Sequence, residues 1–404
     1  MKKSLNLYVL ATLVLAFLLN ACKEEAQPDG SLQITKNDVI RLNGSFENNF
    51  LESWEYVLLD DDNPDGMLSE IEGILYDDSL FFIRCGRYER QPQIKVFDHQ
   101  GRYLNDIGHV GRARNEYLNI CDWAIDRQNN QIIVFDNFAY TLKRYDYKGE
   151  FIDMTPLADY GPTDGYLESD FVKCLSSGSI LNYSPFLAIL PSYDCFMLDS
   201  DGTRHSPFVM TDYRAYCDMD PMEFVELRGQ VGGVGLAAGH SNICSDTTYL
   251  LRQLDNHIYK LYDDSVQCLA NMAFMPDMPY KMKCNYDQES DETYRGHSIP
   301  NFFMDMKDYL YIWYYYDNEY VFEKSTSKMY QITHDTLHVS VPEISTITIC
   351  DNTIIGNAED YFAREAMKHM ASPDYDHRYT PEVEAFYRKV SESNCPAIVI
   401  AHYK

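Results

Sequence analysis

The residues whose types and spacing could most directly carry chemistry form an acidic loop near the N-terminus. The segment from Asp61 to Glu72 matches the calcium-loop pattern D-x-[DN]-x-[DN]-G-x5-E in full. Oxygen ligands at the required positions would come from Asp61, Asn63, Asp65, Ser69 and Glu72. Because Ca²⁺ is held by oxygen ligands, the loop is a candidate calcium site. Strand-like segments flank it where an EF-hand needs helices, so an acidic turn between two strands is the alternative.

Cys22 is the second residue to which the sequence assigns chemistry. Lys2 and Lys3 precede an apolar run from Leu7 to Leu19, and small residues then lead to Cys22. The run is shorter than a membrane-spanning helix and has the length of a signal peptide. The sequence therefore predicts a lipoprotein: residues 1–21 are removed as a signal peptide, and Cys22 carries acyl chains such as palmitate. An ordinary signal peptide followed by an incidental cysteine is the alternative.

Residues 22–37 are predicted to form a lipidated, flexible tether, because this polar segment has too little apolar surface to fold. Its acidic cluster directly after Cys22 resembles the surface-export signal of lipoproteins in Gram-negative gut anaerobes. The resemblance implies a lipid-anchored protein of the outer membrane that is displayed on the cell surface. The membrane would then be a partner through the N-terminal lipid alone.

Composition narrows the classes of function further. The formal net charge of −28 excludes nucleic acid as a partner, since phosphates require a basic surface. The spacing of the ten cysteines after Cys22 contains no Cys-x-x-Cys pair, which excludes a zinc knuckle. These cysteines are expected to be small buried residues, with disulfides as the alternative in an exported protein. No serine-hydrolase elbow, metalloprotease helix or phosphate-binding loop occurs in the sequence.

An internal repeat indicates the fold. Phe97-Asp98-His-Gln-Gly101 and Tyr145-Asp146-Tyr-Lys-Gly149 each follow an alternating apolar strand, and the two copies are 48 residues apart. Aspartate favours the start of a tight turn, and glycine supplies positive φ. Apolar hairpins recur between such copies. Their six turns are predicted near Asp78, Asn129, Ser177, Asp246, Asp308 and Asn352.

Six hairpins at roughly the spacing of propeller blades predict an all-β fold, a six-bladed β-propeller over residues 38–404. Two short helices are predicted at Asp360–Met370 and after Thr380-Pro381, inserted in the last blade before a final strand at Ala397–Ile400. An N-terminal strand at Trp54–Leu59 is expected to pair beside that final strand and close the ring.

Three segments resemble a known family: the run from Ile94 to Gly108, the loop from Gly111 to Tyr117, and the closing Asn394–Ile400. They are similar to the six-bladed β-propeller lipoproteins of Gram-negative gut anaerobes, which are relatives of NHL-type propellers. That family typically has a Gly-x-Gly-Pro-Gly-Glu-Tyr loop, in which the proline and last glycine are replaced here. The resemblance covers about residues 38–404 and implies the fold but no activity.

Three functions are compatible with these observations. The first is a non-catalytic propeller on the cell surface that binds a glycan, a peptide or a protein. The second is a metal-dependent enzyme of the lactonase or lyase kind. The third is a structural component of an outer-membrane complex. The sequence favours binding over catalysis because no set of acidic residues or histidines recurs at equivalent blade positions. Calcium is the one cofactor that a motif suggests, and the ligand-binding residues are not identified by any motif.

Overall fold

The computed structural model describes most of the chain after residue 30. The described residues are 31–34, 39–59, 64–86, 92–157, 171–175, 177–183, 195–199, 204–205, 248–252, 257–261, 266–271, 300–314, 318–334, 338–393 and 395–404. The signal peptide, Cys22 and the predicted turn at Asp246 lie outside these ranges.

Strands dominate the described residues, as the sequence predicts. In chain order they are β1 (Leu32–Gln33), β2 (Ile40–Asn43), β3 (Leu51–Leu58), β4 (Ile71–Asp77), β5 (Leu80–Cys85), β6 (Gln93–Asp98), β7 (Tyr103–Asp106), β8 (Asp122–Asp126), β9 (Gln131–Asp136), β10 (Thr141–Asp146), β11 (Phe151–Pro156), β12 (Phe171–Cys174), β13 (Ile180–Tyr183), β14 (Cys195–Leu198), β15 (Arg204–His205), β16 (Thr248–Arg252), β17 (His257–Leu261), β18 (Val266–Asn271), β19 (Pro300–Asp305), β20 (Tyr309–Tyr314), β21 (Asn318–Glu323), β22 (Lys328–Thr333), β23 (Ser345–Cys350), β24 (Thr353–Ala358) and β25 (Ala397–Tyr403).

Helices are few among the described residues. They are α1 (Phe46–Phe50), α2 (Asp360–Met370) and α3 (Pro381–Ser393), and a single 3₁₀ turn covers Pro64–Gly66. The two predicted helices are confirmed, and both lie between β24 and β25, which are neighbours in one sheet. In the part of the chain that the structure describes, no helix is long and apolar enough to cross a membrane.

The strands form six sheets of four or five strands. The first sheet is β4–β5–β6–β7, the second β8–β9–β10–β11 and the third β12–β13–β14–β15. The fourth is β16–β17–β18 with β1 at its edge, the fifth is β19–β20–β21–β22 with β2, and the sixth is β23–β24–β25 with β3. Strand β4 contacts β8, β8 contacts β12, and β23 contacts β4. The sixth, first, second and third sheets therefore meet in this order along their first strands, in a propeller-like arrangement.

The predicted pairing of the N-terminal strand with the final strand is confirmed, because β3 pairs antiparallel with the C-terminal β25. Val57 lies opposite Ile398 and Glu55 lies opposite Ile400. The sixth sheet thus joins the N-terminal part of the chain to its last residues, and we call it the seam sheet. Helix α3 covers it from outside: Phe386 is buried and contacts Trp54 and Tyr56 of β3 edge-on, with ring centroids 5.7 and 4.9 Å apart.

Two further N-terminal strands run along the outside of the preceding sheets. Strand β1 pairs parallel with β18, and β2 pairs parallel with β22. Residues Leu32–Gln33 fall within the predicted tether, so the sheet contacts begin before residue 38. The neighbouring Ile34 is only 1% exposed and packs in the core. The N-terminal segment therefore passes successively along the fourth, fifth and sixth sheets.

The hydrophobic core lies between adjacent sheets. Phe82 and Val96 of the first sheet pack with Trp123, Ile132 and Val134 of the second. Burial of an apolar side chain of this size stabilises the fold by about 1.5–3 kcal/mol. Because each interface needs apolar residues on both faces of a sheet, the strands show nearly continuous burial, as in β9.

The repeated glycines place each turn against the preceding sheet. Gly101 and Gly149 have φ values of +81° and +84°. A Cβ at Gly101 would stand 2.0 Å from the backbone oxygen of Leu58 in the seam sheet. A Cβ at Gly149 would stand 2.0 Å from the backbone oxygen of Asp106 in the first sheet. The Asp-x-x-Gly repeat is therefore required by turn geometry and by close packing between sheets.

Six cysteines whose side chains the structure describes are thiols. Cys85, Cys174 and Cys268 are buried, and Cys121, Cys350 and Cys395 are half-buried, all without a disulfide. Burial raises the pKa of the Cys85 thiol, so this group is protonated and packs as a small apolar residue. The disulfide alternative therefore does not apply to these six cysteines.

Candidate functional site

A cavity of about 360 Å³ lies where the seam sheet meets the segment that leads into the first sheet. We call it the seam cavity. Its walls come from three parts of the chain that are distant in sequence. Leu68–Ile71 lead into β4. Asn357–Glu359 lie at the end of β24 and are followed by Tyr361 of α2, and Val390, Cys395 and Pro396 precede β25. The cavity is therefore assembled only when the seam sheet and the segment before β4 come together. Its volume lies within the range typical of small-molecule sites.

Asn357 supplies the most unusual polar group in the seam cavity. Its side chain is 5% exposed, and its Oδ1 makes no hydrogen bond. Ser345 lies opposite Asn357 in the register of β23 and β24, and its buried Oγ also lacks a partner. The two side chains thus do not satisfy one another. Because Oδ1 of Asn357 is itself closed off from solvent, this acceptor lies within the sheet and is not a contact for a ligand in the cavity.

The charged groups at the seam cavity are acidic. Glu70 and Glu359 line it, and none of the described lining residues is basic. Glu343 stands close by: burial, and then the neighbouring Glu359 carboxylate, raise the pKa of Glu343 above its usual value. Glu343 lines the second cavity described below, so Glu359 lies between two acidic regions. The site therefore favours a ligand that donates hydrogen bonds or carries positive charge.

The mouth of the cavity is formed by the start of α2. Glu359 is the N-cap residue of this helix, yet its side chain makes no capping hydrogen bond. Tyr361, in the first turn, is 57% exposed, which makes it one of the most exposed large side chains of the described residues. An exposed tyrosine at a polar cavity offers an aromatic face to a ligand.

A second cavity, of about 390 Å³, lies between the fifth sheet and the seam sheet. His334 and His338 line it together with mostly apolar residues such as Met304 and Ile347. The Nε2 atom of His334 is 2.7 Å from Oε1 of Glu319, so this ring is already hydrogen-bonded. None of the residues that line this cavity holds an unpartnered buried polar atom. The walls of the seam cavity are more polar, so it is the stronger candidate for a ligand that forms hydrogen bonds.

Part of the predicted calcium loop is described. Asp61 and Asn63 lie outside the described residues, and Asp65 lies in the 3₁₀ turn. The backbone oxygen of Asp65 accepts a hydrogen bond of 2.6 Å from Nζ of Lys95. The ammonium group of Lys95 thus lies next to Asp65, one of the predicted calcium ligands.

The remaining predicted calcium ligands are placed separately. Glu72 is on β4, where its Oε2 accepts hydrogen bonds of 3.0 and 3.1 Å from the guanidinium of Arg84. Ser69 lies on the wall of the seam cavity instead. Within the described ranges, no three His, Cys, Asp or Glu side chains are grouped so that they could hold a metal ion. The calcium site stays a prediction.

The comparisons with known proteins identify a family. A family model described as a domain of unknown function, DUF4934, matches residues 38–402. The chain belongs to the DUF4934 family. No curated protein matches the chain.

Solved structures resemble this DUF4934 chain in fold. A presumed exported protein of Bacteroides fragilis is 14% identical with a TM-score of 0.58, and the match covers 91% of this chain and 99% of that one. A DUF4221 member from Bacteroides vulgatus is 8% identical with a TM-score of 0.46, over 88% and 97% of the two chains. A streptogramin B lyase is 13% identical with a TM-score of 0.38, over 75% and 80%. These neighbours are propeller-like, and the likeness concerns the fold alone.

One feature of the DUF4934 repeat was not predicted from the sequence. Lys95, Lys143 and Lys260 each stand three positions before the turn aspartate of their copy. The structure brings their ammonium groups within 3.0 to 3.5 Å of carboxylates on Asp106, Asp136 and Asp305. A lysine inside an apolar strand already indicates a buried ion pair, because an unpaired buried charge is too costly. These lysines are accounted for by the structure of the sheets and not by the cavity.

Proposed function

We propose that this chain is a lipid-anchored protein of the cell envelope whose propeller binds an extracellular ligand, a glycan, a peptide or a protein, without converting it. The observation that carries the proposal is the seam cavity, a polar site of ligand size whose walls come from three distant parts of the chain.

The proposal includes a ring of six blades, one for each of the six sheets, with α2 and α3 inserted in the last blade. Contacts between the first strands of the first, second, third and sixth sheets support this arrangement. The pairing of β3 with β25 supports closure. A closed ring has few exposed strand edges, and it holds loops from different blades in a fixed relation. Rigid presentation of loops is what a binding surface needs.

The proposed location rests on the N-terminal sequence, in which Cys22 follows a signal peptide and precedes an acidic cluster. The presumed export of the B. fragilis protein with a similar fold is in keeping with this location. We expect Cys22→Ala to abolish acylation, because the substitution removes the thiol that is modified. Because the thiol is acylated before the signal peptide is cut off, the variant should also keep residues 1–21, and intact-mass measurement should show an uncleaved chain without acyl chains. A variant whose mass still included acyl chains would refute lipid anchoring through Cys22.

Ligand binding is tested by thermal unfolding of the purified protein against soluble glycans, short peptides and calcium. A ligand that binds the folded state should raise the melting temperature. At a concentration a hundred times its dissociation constant, it adds about 2.7 kcal/mol to the free energy of unfolding. The ligand should then be recovered chemically unchanged, as mass spectrometry would show. A ligand that is recovered as a product would instead identify an enzyme. If the protein is displayed at the surface and no ligand stabilises it, the result would favour a structural role in a complex.

A further inference from the structure

We infer that a basic and aromatic patch at one end of the second sheet binds a protein partner, through a peptide segment that carries acidic side chains next to an apolar one. We call it the Phe138 patch. Its members come from the connection that leads into β8 and from the turn between β9 and β10: Arg112, Arg114, Leu118, Phe138 and Tyr140. This surface is separate from the seam cavity, so it adds to the proposed function and does not depend on it.

Hydrogen bonds hold the two connections of the Phe138 patch together. The backbone N–H groups of Leu118 and Phe138 donate to the two carboxylate oxygens of Asp136, over 2.7 and 3.1 Å. Beside them, Nδ2 of Asn119 donates to Oδ1 of Asn137 over 2.8 Å. The buried carboxylate of Asp136 therefore fixes Leu118 and Phe138 next to each other at the surface.

The apolar side chains of the patch are exposed without a stabilising role that explains them. Leu118 is 37%, Phe138 67% and Tyr140 41% exposed. Single exposed apolar residues are ordinary, whereas neighbouring ones mark an interaction surface. Tyr140 also has a φ of +51°, a conformation that glycine or asparagine adopts more readily. The fold therefore does not require large apolar side chains at these positions.

The basic part of the patch lies on the loop before Leu118. The guanidinium groups of Arg112 and Arg114 are exposed, and neither forms an ion pair with another described residue. Glu116, the carboxylate of this loop, accepts a hydrogen bond of 2.7 Å from the backbone N–H of Ala113. Four residues of chain span at most about 14 Å, so Arg114 and Leu118 are within reach of one short peptide. In a chain with a formal net charge of −28, this loop is a local site for negative charge.

The composition of the patch favours a protein as the partner. Aromatic residues and arginine are enriched in protein–protein interfaces and among the residues that contribute most to binding. Carboxylates of a peptide would form charge-assisted hydrogen bonds with the two guanidinium groups. An apolar side chain of the same peptide would cover Phe138.

Two other anionic partners fit less well. An anionic membrane surface offers both charge and apolar groups, but the formal net charge of −28 opposes the approach of the whole chain. An anionic polysaccharide supplies the charge but has no apolar group to cover Leu118 and Phe138. A peptide segment supplies both and carries little charge of its own.

The experiment is a selection of random peptides, displayed on phage, against the purified protein, followed by fluorescence polarisation with the enriched peptides. We expect the enriched peptides to carry aspartate or glutamate next to an aromatic or aliphatic residue. Their affinity should fall as sodium chloride is added, because salt screens exposed charges. Arg114→Gln and Phe138→Ser should each weaken binding by about tenfold or more.

Two matched control variants lie at the opposite end of the same sheet. Lys148→Gln removes one positive charge from the exposed turn between β10 and β11. Ile152→Ser removes an apolar side chain of β11 that is 43% exposed. Both should leave the affinity unchanged. Because the four substituted side chains are exposed, each variant should melt close to the parental temperature, so a loss of binding would not reflect unfolding.

Four outcomes would overturn the inference: no enriched peptide, enriched peptides without acidic residues, equal losses of affinity for Arg114→Gln and Lys148→Gln, or equal losses for Phe138→Ser and Ile152→Ser. Vesicles of phosphatidylglycerol test the alternative partner. Binding to these vesicles that Arg114→Gln and Phe138→Ser abolish would refute the assignment to a protein. None of these results bears on the seam cavity, whose ligand is tested separately by thermal unfolding.

Discussion

Removing residues 395–404 should abolish the cooperative unfolding of the whole domain. This truncation deletes β25, which pairs with β24 on one side and with β3 on the other. It removes Ile398, Val399 and Tyr403 from the core, where each is at most 5% exposed. At about 1.5–3 kcal/mol for each large apolar side chain, these three contribute roughly 5–9 kcal/mol. The total stability of a domain is typically only about 5–15 kcal/mol.

The loss extends beyond apolar burial. Deleting the strand leaves the backbone groups of β24 and β3 without partners along two edges, and unpaired backbone groups are costly where water cannot reach them. It also releases β3, so the ring opens. Differential scanning calorimetry and near-ultraviolet circular dichroism should therefore show no cooperative transition and no fixed tertiary packing.

The matched control is a truncation at the other end that removes residues 1–38. This change deletes β1, which contributes two paired residues at the edge of the fourth sheet, and the buried Ile34. The melting temperature should fall, but a single cooperative transition should remain. If the chain without residues 395–404 kept a cooperative transition close to that of the parent, the seam sheet would not be what closes the fold.

The second large effect is expected for Lys143→Met. The Nζ atom of Lys143 lies 3.0 Å from Oδ2 of Asp136, and the side chains are 3% and 0% exposed. Methionine keeps the length of the side chain but leaves the carboxylate of Asp136 without its counter-charge in the interior. Breaking a buried ion pair in this way typically costs about 3–5 kcal/mol. The backbone N–H groups of Leu118, Phe138 and Ala139 still donate to Asp136. We therefore expect the free energy of unfolding to fall by about 3 kcal/mol, the lower end of this range.

Arg144→Met is the matched control for this prediction, one position along the same strand. Arg144 pairs with Asp153, whose side chain is 55% exposed, and surface pairs contribute at most about 1 kcal/mol. Urea unfolding of both variants would measure the two costs. If Lys143→Met lowered the free energy of unfolding by no more than Arg144→Met does, the buried pair would contribute nothing beyond a surface pair.

Local signals account for what the sequence predicted of the fold. Asp98 and Gly101 mark a turn because a tight turn needs a hydrogen-bonding side chain at its start and positive φ near its end. The apolar spacing of Asp360–Met370 was sufficient to place α2. Closure of β3 onto β25 followed from the topology, since a ring of sheets must join its two ends.

The unpredicted features depend on contacts between distant residues. Strands β1 and β2 contribute two and four residues of parallel pairing, which are too short to show a periodic pattern. The seam cavity is formed by Ser69 and Glu70, by Asn357, and by Cys395, which lie hundreds of residues apart in sequence. No local pattern reports that the amide of Asn357 is buried without a partner. Ser69 was assigned to a calcium loop because that motif was the nearest local explanation.

The path of the N-terminal segment along three successive sheets determines how the protein responds to mechanical tension. A pull on the N-terminus reaches the two paired residues of β1 first, then the four of β2, and only afterwards the seven of β3. The contacts are loaded in series, from the weakest to the strongest. Each residue that peels away adds up to about 3.5 Å of slack. The outer strands therefore yield and relieve the load before the ring itself is strained.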